Sequence, residues 1–238
     1  MERRNFIRVC ATGLIGAQCG RWMERAWAQS AREPIHRYAR VLLVNERGDP
    51  LRTRDLVPRR NYIFHYPFAS TPCFLLDLGR ALAAVDDLVL ESGARYRWTG
   101  GVGPHASIVA YSAICAHKLA YPTHDVSFIR FQAEQSQKSP AERIHCCADH
   151  SVYDPALGAR TVSGPAKQPL AAVVLDFDAQ ADTLHAVGVA GGELFEAFFA
   201  KYDFKLAMEY GRAKVRRAVV DQTVVRELTA YCRQTIRC

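Results

Sequence analysis

Two short stretches of this chain pair a thiol with an imidazole: Cys115-Ala116-His117 and, about thirty residues on, Cys147-Ala148-Asp149-His150. If these four side chains serve one centre, two distant loops must meet, and no other sequence feature constrains the fold as much. A structural zinc site usually takes a C-x2–4-C pair followed by an H-x3–5-H pair. Here each pair is mixed. A C-x-H turn splays neighbouring ligands towards two different metal atoms, which suits a dinuclear cluster better than one tetrahedral ion.

The segments around the clusters read as short strands separated by Gly/Pro turns. Strand signals cover Tyr38–Asn45, Asn61–Pro67, Cys73–Leu78, Tyr96–Trp98 and Ser107–Tyr111, the last two flanking Gly100-Gly101-Val102-Gly103-Pro104. Beyond the second cluster, Thr161-Val162 leads to Gly164-Pro165. Residues 171–176 and 183–189 then form a hairpin pattern. Residues 79–92 read as a short helix or loop, and residues 121–143 as an exposed insertion. Many short strands at close spacing predict an antiparallel β-sandwich or barrel.

From residue 191 the period changes. Leu194, Phe195, Phe198, Phe199, Tyr202 and Leu206 recur at helical spacing, predicting an amphipathic helix from Gly192 to Tyr210, with a second from Thr223 to Cys232. The helical face is expected to pack on the chain's own core; docking on a partner subunit is the alternative.

The N-terminus reads as an address. Arg3-Arg4-Asn5-Phe6-Ile7-Arg8 resembles the twin-arginine export signal. A modest apolar stretch from Val9 to Gly20 follows, then an A-x-A pattern at Ala26-Trp27-Ala28. Residues 1–28 are therefore assigned as a signal segment and 29–37 as a linker, and the expected location is the periplasm, with membrane association through an uncleaved N-terminus or through partners. The chain carries a net charge of +7, but outside residues 1–28 it has 26 basic against 22 acidic side chains. With no Lys/Arg run interleaved with aromatics, that balance gives nucleic-acid binding no support.

The flanks of the clusters carry a resemblance. Gly103-Pro104-His105-Ala106-Ser107-Ile108-Val109-Ala110-Tyr111-Ser112-Ala113-Ile114-Cys115-Ala116-His117 resembles the strand and first loop of a Rieske iron–sulfur protein. Ile144-His145-Cys146-Cys147-Ala148-Asp149-His150-Ser151-Val152-Tyr153-Asp154-Pro155, with Gly164-Pro165-Ala166, resembles the second. The likeness covers residues 38–190. The long spacer is more like the Rieske subunits of archaeal and bacterial cytochrome bc-type complexes than the compact ferredoxins. It implies an all-β, Rieske-type antiparallel sandwich with cluster-binding loops and a C-terminal helical extension at 191–238. It also implies one [2Fe–2S] cluster per chain, with Cys115 and Cys147 on the buried iron and His117 and His150 on the outer one. Ser151 and Tyr153 match the family's hydroxyl donors to the cluster sulfurs, which tune its potential.

Three departures stand out. The family's two bracing cysteines are missing, the first loop having Ala120 at that position, so no disulfide is expected between the loops. The family places a glycine after the second histidine, where this chain has Ser151 directly after His150. Aligned without a gap, Cys146 takes the ligand's place and Asp149 stands where histidine is expected. Deleting one residue instead preserves C-x-x-H and selects Cys147 and His150, the assignment carried forward. Lys118 replaces the apolar residue that usually follows the first histidine, which favours an acidic partner surface over quinone contact. Outside the signal and the ligands, Cys73, Cys146, Cys232 and Cys238 allow three pairings, of which Cys232 with Cys238 is the most local.

The resemblance implies one-electron transfer by an exported subunit of a respiratory oxidoreductase. The expected home is a cytochrome bc-type complex carrying electrons from quinol to cytochrome c, with cytochrome b as a partner. The small subunit of an arsenite-oxidase-like molybdenum enzyme, beside a molybdopterin subunit, is the alternative, followed by an oxygenase ferredoxin and, remotely, a secreted zinc module. No Ser/His/Asp set, phosphate loop or dinucleotide fingerprint is present. No catalytic residue is therefore assigned, and any enzyme activity would belong to the complex.

Overall fold

The computed structural model describes residues 35–238. The signal assigned to 1–28, and the linker up to residue 34, lie outside the described residues. The last three residues of that linker belong to the first strand, β1 (Ile35–Val44).

Eight strands form the main sheet. In spatial order it runs from β14 (Gln222–Val224) through β1 to β13 (Thr183–Ala190) and β12 (Ala172–Asp178). It continues through β6 (Ile108–Ser112), β3 (Pro72–Asp77) and β2 (Tyr62–His65) to β15 (Arg226–Glu227). All pairings are antiparallel except β1 with β14. A second sheet has the order β11 (Arg160–Ser163), β10 (Ser151–Asp154), β9 (Arg143–Cys146), β8 (Ile129–Gln132). Two short ladders complete the β-structure: β4 (Val85–Val89) with β5 (Arg95–Trp98), and β7 (Val126–Ser127) with β16 (Gln234–Thr235).

The central strands are apolar on both sides, and the two-residue period sorts their side chains between two cores. Phe74, Leu76, Val109 and Tyr111 face one core with Ile129, Phe131, Ile144 and Tyr153 of the small sheet. Cys73, Leu75, Ile108 and Ala110 face the other, with Phe195, Phe198, Phe199 and Leu206. Those last four line the inner side of α1 (Phe195–Tyr210). The main sheet is thus sandwiched between the small sheet and a helix, the all-β core with helical extension that the sequence predicts. The aromatic stripe of α1 is spent on the chain's own core, Phe68 meeting the Phe195 and Phe199 rings edge-on at 6.0 and 5.5 Å.

Three local expectations are corrected. Residues 79–92 contain β4, whose alternation is broken by a bulge at Asp87 (φ 58°) and obscured by two aspartates. The 121–143 insertion contributes β7 and β8, and Ile129 and Phe131 are fully buried. The helix expected at 223–232 shrinks to α2 (Leu228–Tyr231), because the β-branched run Thr223-Val224-Val225 goes into strand β14 and its continuation. No helix among the described residues is long and apolar enough to cross a membrane.

His65 at the end of β2 joins these C-terminal elements: its Nε2 lies 3.2 Å from the Tyr210 hydroxyl and 3.4 Å from that of Tyr231. Burial, with help from His124 and Arg226, lowers its pKa from 6.5 to about 4. The folded chain therefore keeps His65 neutral where the unfolded chain protonates it. Its contribution to stability is complete above pH 6.5 and is lost as the pH falls towards 4, a loss of at most about 3 kcal/mol. Urea unfolding at a series of pH values should show a smaller acid loss for His65→Gln than for the natural chain; equal slopes would contradict it.

Candidate metal centre

The two loops come from different sheets. The first leaves β6 and turns tightly, the Cys115 N–H donating to Ala120 O at 2.8 Å and Leu119 N–H to Cys115 O at 2.9 Å. Beyond it, α1 clamps the chain. The Tyr121 ring packs on Phe198 and Tyr202 at 4.9 and 5.1 Å, its hydroxyl donates to Glu209, and the Lys201 ammonium donates to the Lys118 carbonyl. The second loop is the turn between β9 and β10, closed by the Cys146–Ser151 pair and by His150 N–H donating to Cys146 O at 2.7 Å.

Where the loops meet, Cys115 and Cys146 are both fully buried. Their sulfurs and a carboxylate oxygen of Asp149 lie within 4.8 Å of one another. His117 closes the outer side, its Nδ1 2.9 Å from Asp149 Oδ2; its side chain is 38% exposed against 2% for Asp149. Tyr153 reaches across from β10. Its hydroxyl accepts the Ala116 N–H at 3.1 Å and lies 3.4 Å from Cys115 Sγ, leaving its own proton free for the sulfur. Ser151 is buried; its Oγ accepts the Ala166 N–H at 3.2 Å and its N–H donates to Asp149 Oδ1 at 2.9 Å.

The proton inventory fits a cation-binding site. A hydrogen bond from the Cys146 thiol pulls the Cys115 pKa down against the effect of burial, while the same bond, with burial, pushes Cys146 up. Burial opposes ionisation of Asp149, yet the Ser151 N–H, His117 and the two thiols together hold its pKa below the usual carboxylate value. Two sulfurs and one carboxylate thus share a pocket rimmed by an imidazole.

The expected ligand pair Cys147 and His150 is corrected. Cys147 is bonded to Cys238, a disulfide 91 residues apart in sequence, and so leaves the ligand set. Of the pairings left open by the sequence, the local Cys232–Cys238 bond is therefore not formed, Cys232 being a buried free thiol. His150 turns away from the centre, its ring 5.7 Å from that of His145. Its φ of 60° puts it in the left-handed position normally reserved for glycine. Cys115 and His117 lie at the meeting of the loops together with Cys146 and Asp149, the two residues that the ungapped alignment places there. The signal for that register was present: it leaves Ser151 and Tyr153 in phase with the hydroxyl donors and puts His150 where a glycine is expected.

Gly164 is seated against the second loop. An added Cβ would come within 2.5 Å of Ser151 Cα and 2.8 Å of the His150 carbonyl carbon, at φ 88°. The loop carrying Gly164-Pro165 can therefore close over the turn only with glycine here.

No family model matches the chain. Among solved structures it is similar to the soluble domain of the Rieske protein II (soxF) from Sulfolobus acidocaldarius, at 27% identity over 64% of this chain and 78% of that one. The TM-score is 0.47, too loose a superposition to assign a family.

Gly164→Ala should destabilise the fold by at least about 1 kcal/mol, because it adds a backbone clash to the left-handed strain. Gly48→Ala, at φ 85° with nothing within 4 Å of the added Cβ, carries the strain alone and should cost less. Thermal unfolding of the two variants checks the order.

Proposed function

We propose that the chain carries one electron at a time through a Rieske-type [2Fe–2S] cluster seated at Cys115, Cys146 and His117. The observation that carries this reading is the sorting of the donors by depth. Two fully buried sulfurs lie inside and a part-exposed imidazole lies outside, so soft thiolates would hold an inner iron and His117 would face the partner. Bound there, the cluster would supply reversible one-electron uptake at a potential that the protein sets.

The chain's own residues account for the rest. Tyr153 donates to Cys115 Sγ and holds Ala116, which favours added negative charge at the sulfur and fixes the first loop. Ser151 orders the second loop through the Ala166 N–H. Tyr121 and α1 hold the first loop from the other side, and the Cys147–Cys238 disulfide holds the second. These two separate braces stand where the family would link loop to loop.

Beside the rim lies a cavity of about 280 Å³ lined by Lys118, Lys201 and Lys205 with Tyr202, Phe128 and Ala148. With Lys118 following His117 in the chain and Lys201 and Lys205 lining the same cavity, this side favours a protein partner with an acidic surface over a neutral quinol. The proposed setting is an exported respiratory oxidoreductase, cytochrome bc-type or arsenite-oxidase-like, in which this chain relays electrons and another subunit does the chemistry.

The ligand assignment is tested by three variants of the full chain. Cys115→Ser and Cys146→Ser should lose the visible absorption and labile sulfide of the cluster while keeping their far-ultraviolet dichroism. Cys147→Ser should keep the cluster but unfold more easily by about 2–5 kcal/mol, the usual effect of losing a long-range disulfide. Loss of the cluster in Cys147→Ser, with retention in Cys146→Ser, would overturn the assignment.

A further inference from the structure

The Rieske ligand pattern calls for a second histidine on the outer iron, and the described residues place none there. His150 is the sequence candidate, but its ring nitrogens group with His145 and Cys238 within 4.8 Å, apart from the group of Cys115, Cys146 and Asp149. Asp149 is the side chain that faces the centre. Its Oδ1 is held by the Ser151 N–H at 2.9 Å, which fixes the carboxylate from the strand behind it. Its Oδ2 is left pointing inwards, 3.3 Å from Cys115 Sγ and 2.9 Å from His117 Nδ1.

Chemistry points the same way. A carboxylate with 2% of its side chain exposed needs compensating positive charge. No Lys or Arg forms an ion pair with it among the described residues; its one ion-pair partner is His117, charged only when protonated. A metal ion held by Asp149 and His117 would supply that charge, replacing the 2.9 Å hydrogen bond between them, and Cys146 already lies within 4.8 Å of the same carboxylate.

Resting on the cluster reading above, we infer that Asp149 is the fourth protein ligand, so that the outer iron is held by one imidazole and one carboxylate. The ligand set becomes two cysteines, one histidine and one aspartate. A carboxylate brings one negative charge where a neutral imidazole brings none. Uptake of an electron is therefore opposed more strongly, and the potential lies below that of the same site with two imidazoles. The Ser151 N–H withdraws part of that charge without cancelling it.

The rival role for Asp149 is a positioning one, orienting the His117 ring by a hydrogen bond while another group completes the iron. Nitrogen hyperfine spectroscopy by pulsed electron paramagnetic resonance on the reduced, cluster-loaded full chain separates the two. The natural chain should show one strongly coupled imidazole nitrogen, and His150→Ala should leave that spectrum unchanged. Asp149→His should show two such nitrogens and a midpoint potential shifted upwards. Two nitrogens in the natural chain, one of them lost in His150→Ala, would overturn the inference; so would an Asp149→His protein with one nitrogen and an unshifted potential. If Asp149→His does not load, the nitrogen count in the natural chain decides alone. A chain that takes up no iron and sulfide overturns the cluster reading itself, and the ligand choice with it.

Discussion

Everything at this centre depends on two fully buried thiols, Cys115 and Cys146, being brought face to face from different sheets. Neither loop could do this alone. Cys115 follows the central strand β6 of the main sheet, Cys146 ends β9 of the small one, and their approach is fixed only when the two sheets pack through Phe74, Tyr111, Phe131 and Ile144. Tyr153 is the strut between them: it sits in the small sheet and its hydroxyl meets the backbone and sulfur of the first loop. Burial of this kind strengthens every charge interaction within the site, so the carboxylate of Asp149 beside two buried sulfurs suits the cation-binding role proposed for it.

The bracing of the loops follows from the same geometry. With Ala120 in the first loop and Ala148 in the second, the loops have no cysteines with which to bridge each other. The first is held by an aromatic cluster on α1, and the second by Cys147, tied to the C-terminal segment that runs parallel to β7. The helical extension is thus part of the site's support, although it contributes no candidate ligand. Its outward residues Phe204 and Met208 remain exposed.

Much of this was legible in the sequence, and the failures have physical causes. Apolar strands such as β3 and β6 announced themselves because both of their faces are buried. The short strands β4, of five residues, and β8, of four, did not, since alternation over so few residues is easily hidden by Asp86 and Asp87 or by Arg130. Spacing singled out Cys115 and His117, and the resemblance of the flanks singled out Ser151 and Tyr153; the structure places all four where the two loops meet. In the second loop the structure departs from the C-x-x-H register, because spacing carries no information about backbone conformation or about the bond from Cys147 to Cys238. His150 can adopt the left-handed turn that glycine normally fills, at modest cost, so the ungapped register survives without its glycine. The Cys147–Cys238 bond was invisible for a different reason: disulfide connectivity depends on the fold and not on nearness in sequence.

The proposed electron-transfer role depends on what Cys115 and Cys146 hold. The direct measurement is metal and acid-labile sulfide analysis of the full chain, together with electron paramagnetic resonance after reduction. A cluster at these thiols gives iron and sulfide in equal amounts, and a paramagnetic signal that appears on one-electron reduction and vanishes on reoxidation. Stoichiometric zinc with no labile sulfide and no signal would contradict it.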